Sequence, residues 1–331
     1  MPRPDDPQPT RLGITIPLDL PLAEHPPVLR ALQAAGYSDF WTAETARCDA
    51  FGPLAHAAAV MADARFGTAI ASVYARGPAA LAMGAAAVGE AAPGRFVLGI
   101  GASSPTLATD WNCVAFERPL ARVRDTARFL RAALAGERVD AAYDTFAVRG
   151  FRLERPPADV PPVLVAALRP GMLRVAAREA DGAVLNWLAA HDVPLVRAHL
   201  DEDSIVTARI FLCPSTERAV VRNAARRLIA TYASVPAYAR FHEWLGRGPA
   251  LARCWDAWAA GDKRAAAAAV PDEVVDALIV HGPVAECAAR VREYVAAGVD
   301  VPVLKFLPLD PARELIGDAL AVGSALAGAR G

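Results

Sequence analysis

An excess of charge of either sign is the first thing this sequence lacks. Lysine and arginine total 35 against 36 aspartates and glutamates in 331 residues, a formal net charge of −1. That balance removes the electrostatic case for nucleic acid or an anionic membrane as a partner. Cysteine is scarce and unpaired: Cys48, Cys113, Cys213, Cys254 and Cys287 are odd in number and form no C-x-x-C pair. A disulfide framework or zinc cage is excluded on that count, and reduced thiols in a cytoplasm are expected. No histidine pairs with a carboxylate at metal-ligand spacing, so no metal is expected. The chain also lacks a G-x-S-x-G elbow and a Walker lysine. No secretory leader is read at its start; residues 1–10, "MPRPDDPQPT", are polar and proline-rich and are expected to be a disordered tail. Long apolar runs are missing too, since stretches such as "AALAMGAAAVGEAA" are alanine-rich and too short to cross a bilayer.

What is present is a large apolar content, 54% of residues, ample for one big core. Short apolar strands alternate with helical segments. The strands are "LGITIPL", "DFWTA", "RFGTAIASV", "RFVLGI", "PVLVAA", "GAVLNWL", "TARIFLC" and "PVLKFLP". Helices between strands imply a parallel sheet buried on both faces. Eight such units suit a closed (β/α)8 barrel, although alternation alone leaves two Rossmann halves open. A helical excess at about 214–272, interrupted at Pro236 and Gly246–Pro249, reads as an insertion after the seventh strand.

The segment "GRFVLGIGASSP" (Gly94–Pro105) resembles a dinucleotide loop, and fails as one. Gly99 and Gly101 are in place, but Ser104 stands where the third glycine belongs. "TLATDWNCVAFERP" has poor helical character, so no helix is expected to open there on a pyrophosphate. Two readings of the glycines remain. Either they let a flat ligand approach the strand end, or they make room for packing between strands.

"PGRFVLGIGASSP" followed by "WNCVAFERPLARVRDTARFLRAALAGE" resembles the luciferase-like oxidoreductase superfamily. It looks most like the branch that uses the deazaflavin coenzyme F420, which includes methylenetetrahydromethanopterin reductases. Supporting blocks are "GYSDFWTAE", "DAFGPLAHAA", "FGTAIASVYARGPAALAMGAAAV", "PVLVAALRPGMLRVAAREADGAVLNWL" and "HGPVAECAARVREYVAAGVDVPVL". The resemblance implies an α/β fold, a (β/α)8 TIM barrel with a helical insertion after strand 7, forming a single domain over 11–331. It implies hydride transfer between the deazaflavin and a small-molecule substrate, with FMN and monooxygenase chemistry as the alternative. A barrel that binds coenzyme without catalysis is a third reading. A homodimer is also implied.

Site residues follow from that resemblance. A cis peptide in strand three, matching Ala69–Ile70, would back the coenzyme ring. Gly101, Ala102, Ser103 and Ser104 would donate to its side chain. "ALRPGML" is the phosphate candidate: Ala167 and Leu168 end a strand, Arg169 supplies charge, Pro170 suits a first helical turn, and Gly171 and Met172 bring free N–H groups. The plain βα turn with a solvated arginine is the alternative. Glu44 ends strand two, where barrel chemistry sits, and is the candidate for proton transfer, against a rim salt bridge. Thr45 follows it where the sugar-phosphate dehydrogenase branch has a histidine, which counts against that activity. Asp19 is the second acidic candidate. Asn186 would orient ring or substrate and Trp187 wall the pocket, or the tryptophan only packs. Trp41 is assigned to the core, and Arg76 meets an anionic group or solvent.

Overall fold

Short apolar runs become strands here because both faces of the sheet are buried, as the unbroken burial of Phe96–Gly101 shows. The structure, a computed structural model, describes residues 11–16 and 20–328. The expected tail and Asp19 lie outside the described residues. The strands are β1 (Gly13–Thr15), β2 (Asp39–Thr42), β3 (Arg65–Thr68), β4 (Ala71–Ser72), β5 (Phe96–Gly101), β6 (Val139–Ala142), β7 (Ala147–Phe151), β8 (Val163–Ala166), β9 (Gly182–Asn186), β10 (Ile205–Cys213), β11 (Ile279–His281) and β12 (Val301–Phe306). Two compact units divide the chain. One takes Gly13–Leu185 with Ala198–Thr207; the other takes Asn186–Arg197 and the chain from Ala208 onward.

In the first unit the parallel order is β1-β2-β3-β5-β8-β9. Its helices His25–Ala34, Gly52–Val60, Pro78–Ala91, Pro119–Leu134 and Pro170–Glu179 each carry proline in the first turn, where a missing N–H costs nothing. Trp41 is fully buried on β2, as assigned. The third expected strand is split into β3 and β4 by a bulge. Gly67 pairs Val97 and Ala71 pairs Ile100, so Thr68, Ala69 and Ile70 face only Leu98 and Gly99. The sequence did not signal the antiparallel hairpin of β6 and β7, whose strands are largely exposed and carry no apolar run.

The second unit holds β11, β10 and β12 side by side; β11 is a short strand that the sequence reading missed. The insertion is built of helices Arg218–Ala233, Pro236–Trp244, Gly248–Ala259, Lys263–Ala268 and Asp272–Leu278. Its core gathers Trp187, Phe211, Val221, Ile229, Leu251 and Leu278. A buried ion pair fastens the helices to the segment after β9: Arg247 meets Asp192 at 2.7 Å, and Asp192 also accepts the Ala189 N–H at 2.7 Å. Among the described residues no helix is long and apolar enough to cross a membrane.

Candidate active site

The bulge organises the carboxyl edge of the first unit. The Ala69–Ile70 peptide is cis. On one side the bulge stays paired to the β2 end: Ala69 N–H donates to Thr42 O at 2.6 Å, and Glu44 N–H to Ile70 O at 3.0 Å. On the other side the extra residue would leave β5 groups unpaired. Thr68 fills that gap, its Oγ1 donating to Gly99 O at 2.7 Å and accepting from Gly99 N–H at 2.9 Å. A Cβ at Gly99 would stand 2.0 Å from Thr68 O, and one at Gly101 would stand 2.8 Å from the Ala166 Cβ. Packing between strands therefore accounts for both glycines.

Beyond β5 the structure corrects one expectation. A six-residue π-helical turn, Thr106–Trp111, follows directly, and Ser104 Oγ accepts the Leu107 N–H at 3.2 Å. That bond is to a short side-chain hydroxyl just ahead of the turn, a local signal that weak helical propensity outweighed in the sequence. Ser103 adopts a left-handed conformation, φ 60°, and both serines are exposed at the edge beside half-buried Ala102.

Glu44 is brought to this edge and is almost enclosed by donors. Its Oε1 accepts from Arg76 Nη2 at 2.8 Å and Nε at 3.1 Å, and its Oε2 accepts from Ser72 N–H at 3.1 Å. Arg76 also reaches Asp49 at 3.3 Å and lies 5.0 Å above the Phe51 ring. The hydrogen bond that Arg76 donates to Glu44 raises the guanidinium above its ordinary range, against the opposing effect of burial. Arg76 thus meets anionic groups rather than solvent. Sequence reasoning did not foresee the pairing, since the two residues are 32 apart and only the bulge joins them.

Ala167 and Leu168 run from β8 to the helix Pro170–Glu179, with Ala167 N–H bonded to Val184 O at 3.1 Å. Arg169 is extended, no side chain caps the helix, and its first turn has no acidic residue. Met172 and Leu173 N–H both turn back to Arg169 O, so Gly171 holds the freest amide of that turn. Among the described residues Arg169 has no ion pair or hydrogen bond through its side chain. An uncapped helix start beside an unpaired guanidinium suits an anion.

Asn186 and Trp187 belong to the other unit. Asn186 Nδ2 donates to Tyr238 Oη at 2.9 Å. Trp187, 1% exposed and at φ 56°, stacks with Phe211 at 4.2 Å and Tyr232 at 4.8 Å between ring centroids. It packs. A recess of about 710 Å³ is lined by Val163, Asp181, Ser204 and Ile205, among others. Those residues lie at or beside the beginnings of β8, β9 and β10, the end of parallel strands that does not carry barrel chemistry.

With that geometry in hand, comparison with known proteins decides the family. A family model described as luciferase-like monooxygenase matches residues 6–301. The chain belongs to the luciferase-like monooxygenase family. A relative in Mycobacterium tuberculosis, whose name assigns it by inference to the coenzyme F420-dependent oxidoreductases, is 24% identical over 326 residues, covering 89% of this chain and 94% of its own. The 5,10-methylenetetrahydromethanopterin reductase of Archaeoglobus fulgidus is 27% identical over 266 residues, 76% of this chain and 79% of its own. Among solved structures, the coenzyme F420-dependent tetrahydromethanopterin reductase from Methanopyrus kandleri has a TM-score of 0.76 at 18% identity, covering 95% of this chain and 97% of that one. This likeness establishes the fold class as the (β/α)8 barrel expected from the alternating strands and helices. The Rossmann alternative falls.

Proposed function

We propose that this luciferase-like protein is a coenzyme F420-dependent oxidoreductase acting on an organic small molecule. The observation that supports it most is the relative named for coenzyme F420, which matches 89% of this chain. The structure offers residues that fit such a coenzyme: an unpaired Arg169 and free Gly171 N–H at an uncapped helix start for a phosphate, with Met172 in that turn. Ser103 and Ser104 stand exposed after β5 for polar tail groups. Held by these residues, a deazaflavin would supply or accept a hydride at C5.

The chain's own part is placement and proton handling. Glu44 stands beside the bulge with its carboxylate held by Arg76 and the Ser72 N–H. Every polar neighbour it meets there is a donor, so it serves as an acceptor: it takes the substrate proton when the hydride leaves, and returns it in the reverse direction. The bulge at Ala69 and Ile70 fixes the Glu44 backbone through the Ile70 carbonyl. Asp19 is the second acidic group in this reading. The protein is assigned to the cytoplasm and to a homodimer.

A flavin monooxygenase is the second reading, favoured by the family description itself. Titration of the purified protein with F420 and with FMN, following fluorescence quenching, separates the two. F420 binding that weakens at least about tenfold in Arg169→Ala is expected, the loss of one charge-assisted phosphate contact. Tight FMN binding without F420 binding would overturn the reading.

A further inference from the structure

In the second unit, one strand carries a half-buried charge that has no partner among the described residues. Arg209 lies mid-way along β10, "IVTARIFLC". Its Nε is buried and meets no acceptor, and among the described residues its guanidinium has neither an ion pair nor a hydrogen bond. The groups that face it are aromatic: the guanidinium carbon stands 5.6 Å over the Phe211 ring, with the Tyr232 and Tyr238 hydroxyls in electrostatic reach. Phe211 begins a stack that continues through Trp187 to Tyr232, and Tyr238 meets Tyr232 edge-on at 6.0 Å. A second buried atom nearby is also unmet. Asn186 gives its Nδ2 to Tyr238 and leaves Oδ1 without a donor.

Two orphaned polar atoms of opposite sense, Arg209 Nε and Asn186 Oδ1, thus lie near the same tyrosine, whereas buried polar atoms are nearly always paired. Burial depresses the Arg209 guanidinium below its ordinary range. The planar fork of arginine fits the two oxygens of a carboxylate. The stacked rings fit a flat, unsaturated body beside it. The unmet Asn186 oxygen fits a hydroxyl or N–H on the same molecule.

We infer that Arg209, with Asn186 and the rings of Phe211, Tyr232 and Tyr238, forms a subsite for a flat carboxylic acid that bears a hydroxyl or N–H donor. It deepens the oxidoreductase reading by naming the substrate class, and rests on that reading only for the acid's later conversion; binding of the acid needs no coenzyme.

Calorimetric titration of the protein with 3-hydroxybenzoate, benzoate and 3-hydroxybenzamide tests it. The hydroxybenzoate binds best, and the uncharged amide falls by at least about tenfold, since it cannot satisfy the unpaired cation. Benzoate falls by a smaller factor for want of the donor. Arg209→Met loses the preference for acid over amide, and Arg209→Lys keeps part of it. F420 quenching measured alongside stays within about threefold of wild type in both variants, as for a residue outside the coenzyme site. Equal binding of acid and amide by the wild-type protein, which needs no variant to fold, overturns the subsite. So does a loss of F420 affinity in both variants, which would give Arg209 to the coenzyme. Failure of the wild-type protein to bind F420 sinks the oxidoreductase reading and leaves the acid titrations standing.

Discussion

The strand-end edge of the first unit and the polar interior of the second handle charge in opposite ways. At the edge, Glu44 has three donors and Arg76 two carboxylates, and Thr68 closes the gap that the bulge opens. In the second unit, Arg209 Nε, Asn186 Oδ1 and Trp187 Nε1 are buried with no partner. A satisfied network fixes geometry and loses stability when broken. An unsatisfied one costs stability as it stands and is completed only by something added. The second unit provides its own control in Arg247, 8% exposed, which keeps an ion pair to Asp192 through Nη2 although its Nη1 is unmet.

The largest expected effect breaks that control. Asp192→Ala leaves Arg247 buried and removes the acceptor for the Ala189 N–H. A loss of about 3–5 kcal/mol is expected, read as a shift in the urea midpoint. Next to it, His242 is 1% exposed, and burial together with Arg247 pushes it down to about 4. The unfolded chain takes up a proton near the ordinary imidazole value of about 6.5, and the folded chain does not until about 4. Its effect on stability is therefore flat above about pH 6.5 and grows as pH falls toward 4, reaching about 3 kcal/mol. Thermal melts of wild type and His242→Gln between pH 7.5 and about 4.5 check this. The variant should lose less stability on acidification, and parallel curves would remove the buried-histidine account.

Arg209→Met tests the contrast with opposite sign. Replacing a half-buried, unpaired guanidinium by an apolar side chain of similar length should leave stability unchanged or raise it by up to about 1 kcal/mol. A loss as large as that of Asp192→Ala would mean that Arg209 has a protein partner after all, and the difference between the two arginines would vanish.

These residues also show what a sequence discloses. Strands and helices of the first unit were legible because each strand is a short apolar run and each helix opens on proline. The carboxyl ends of the strands were legible for the same reason, so Glu44, Ser104 and Arg169 could be placed at one edge. Pairing was not. The Glu44–Arg76 contact depends on a register shift of one residue, and nothing in "TAIAS" states which neighbour a strand will slip against. The hairpin of β6 and β7 was illegible because its strands are exposed. Arg209 was visible and passed over: a charge inside "TARIFLC" reads as noise in an apolar strand, although a lone arginine at an inward phase is the signal that a counter-ion must come from somewhere.

The smallest effect on stability belongs to Glu44, and it separates placement from folding. Glu44→Gln keeps an acceptor for the Ser72 N–H and loses the charge that Arg76 pairs with. Arg76 is 26% exposed and retains Asp49, so the isolated pair contributes little to stability, less than about 1 kcal/mol. Turnover should suffer far more, by about 100-fold or above, the usual contribution of a positioned acid–base group. Arg76→Gln supplies the complementary arm. It leaves the carboxylate and removes only its orientation, so coenzyme affinity should hold while the rate falls by less than in Glu44→Gln. If Glu44→Gln turns over normally, the pair at the edge is a rim salt bridge, and proton handling passes to another group.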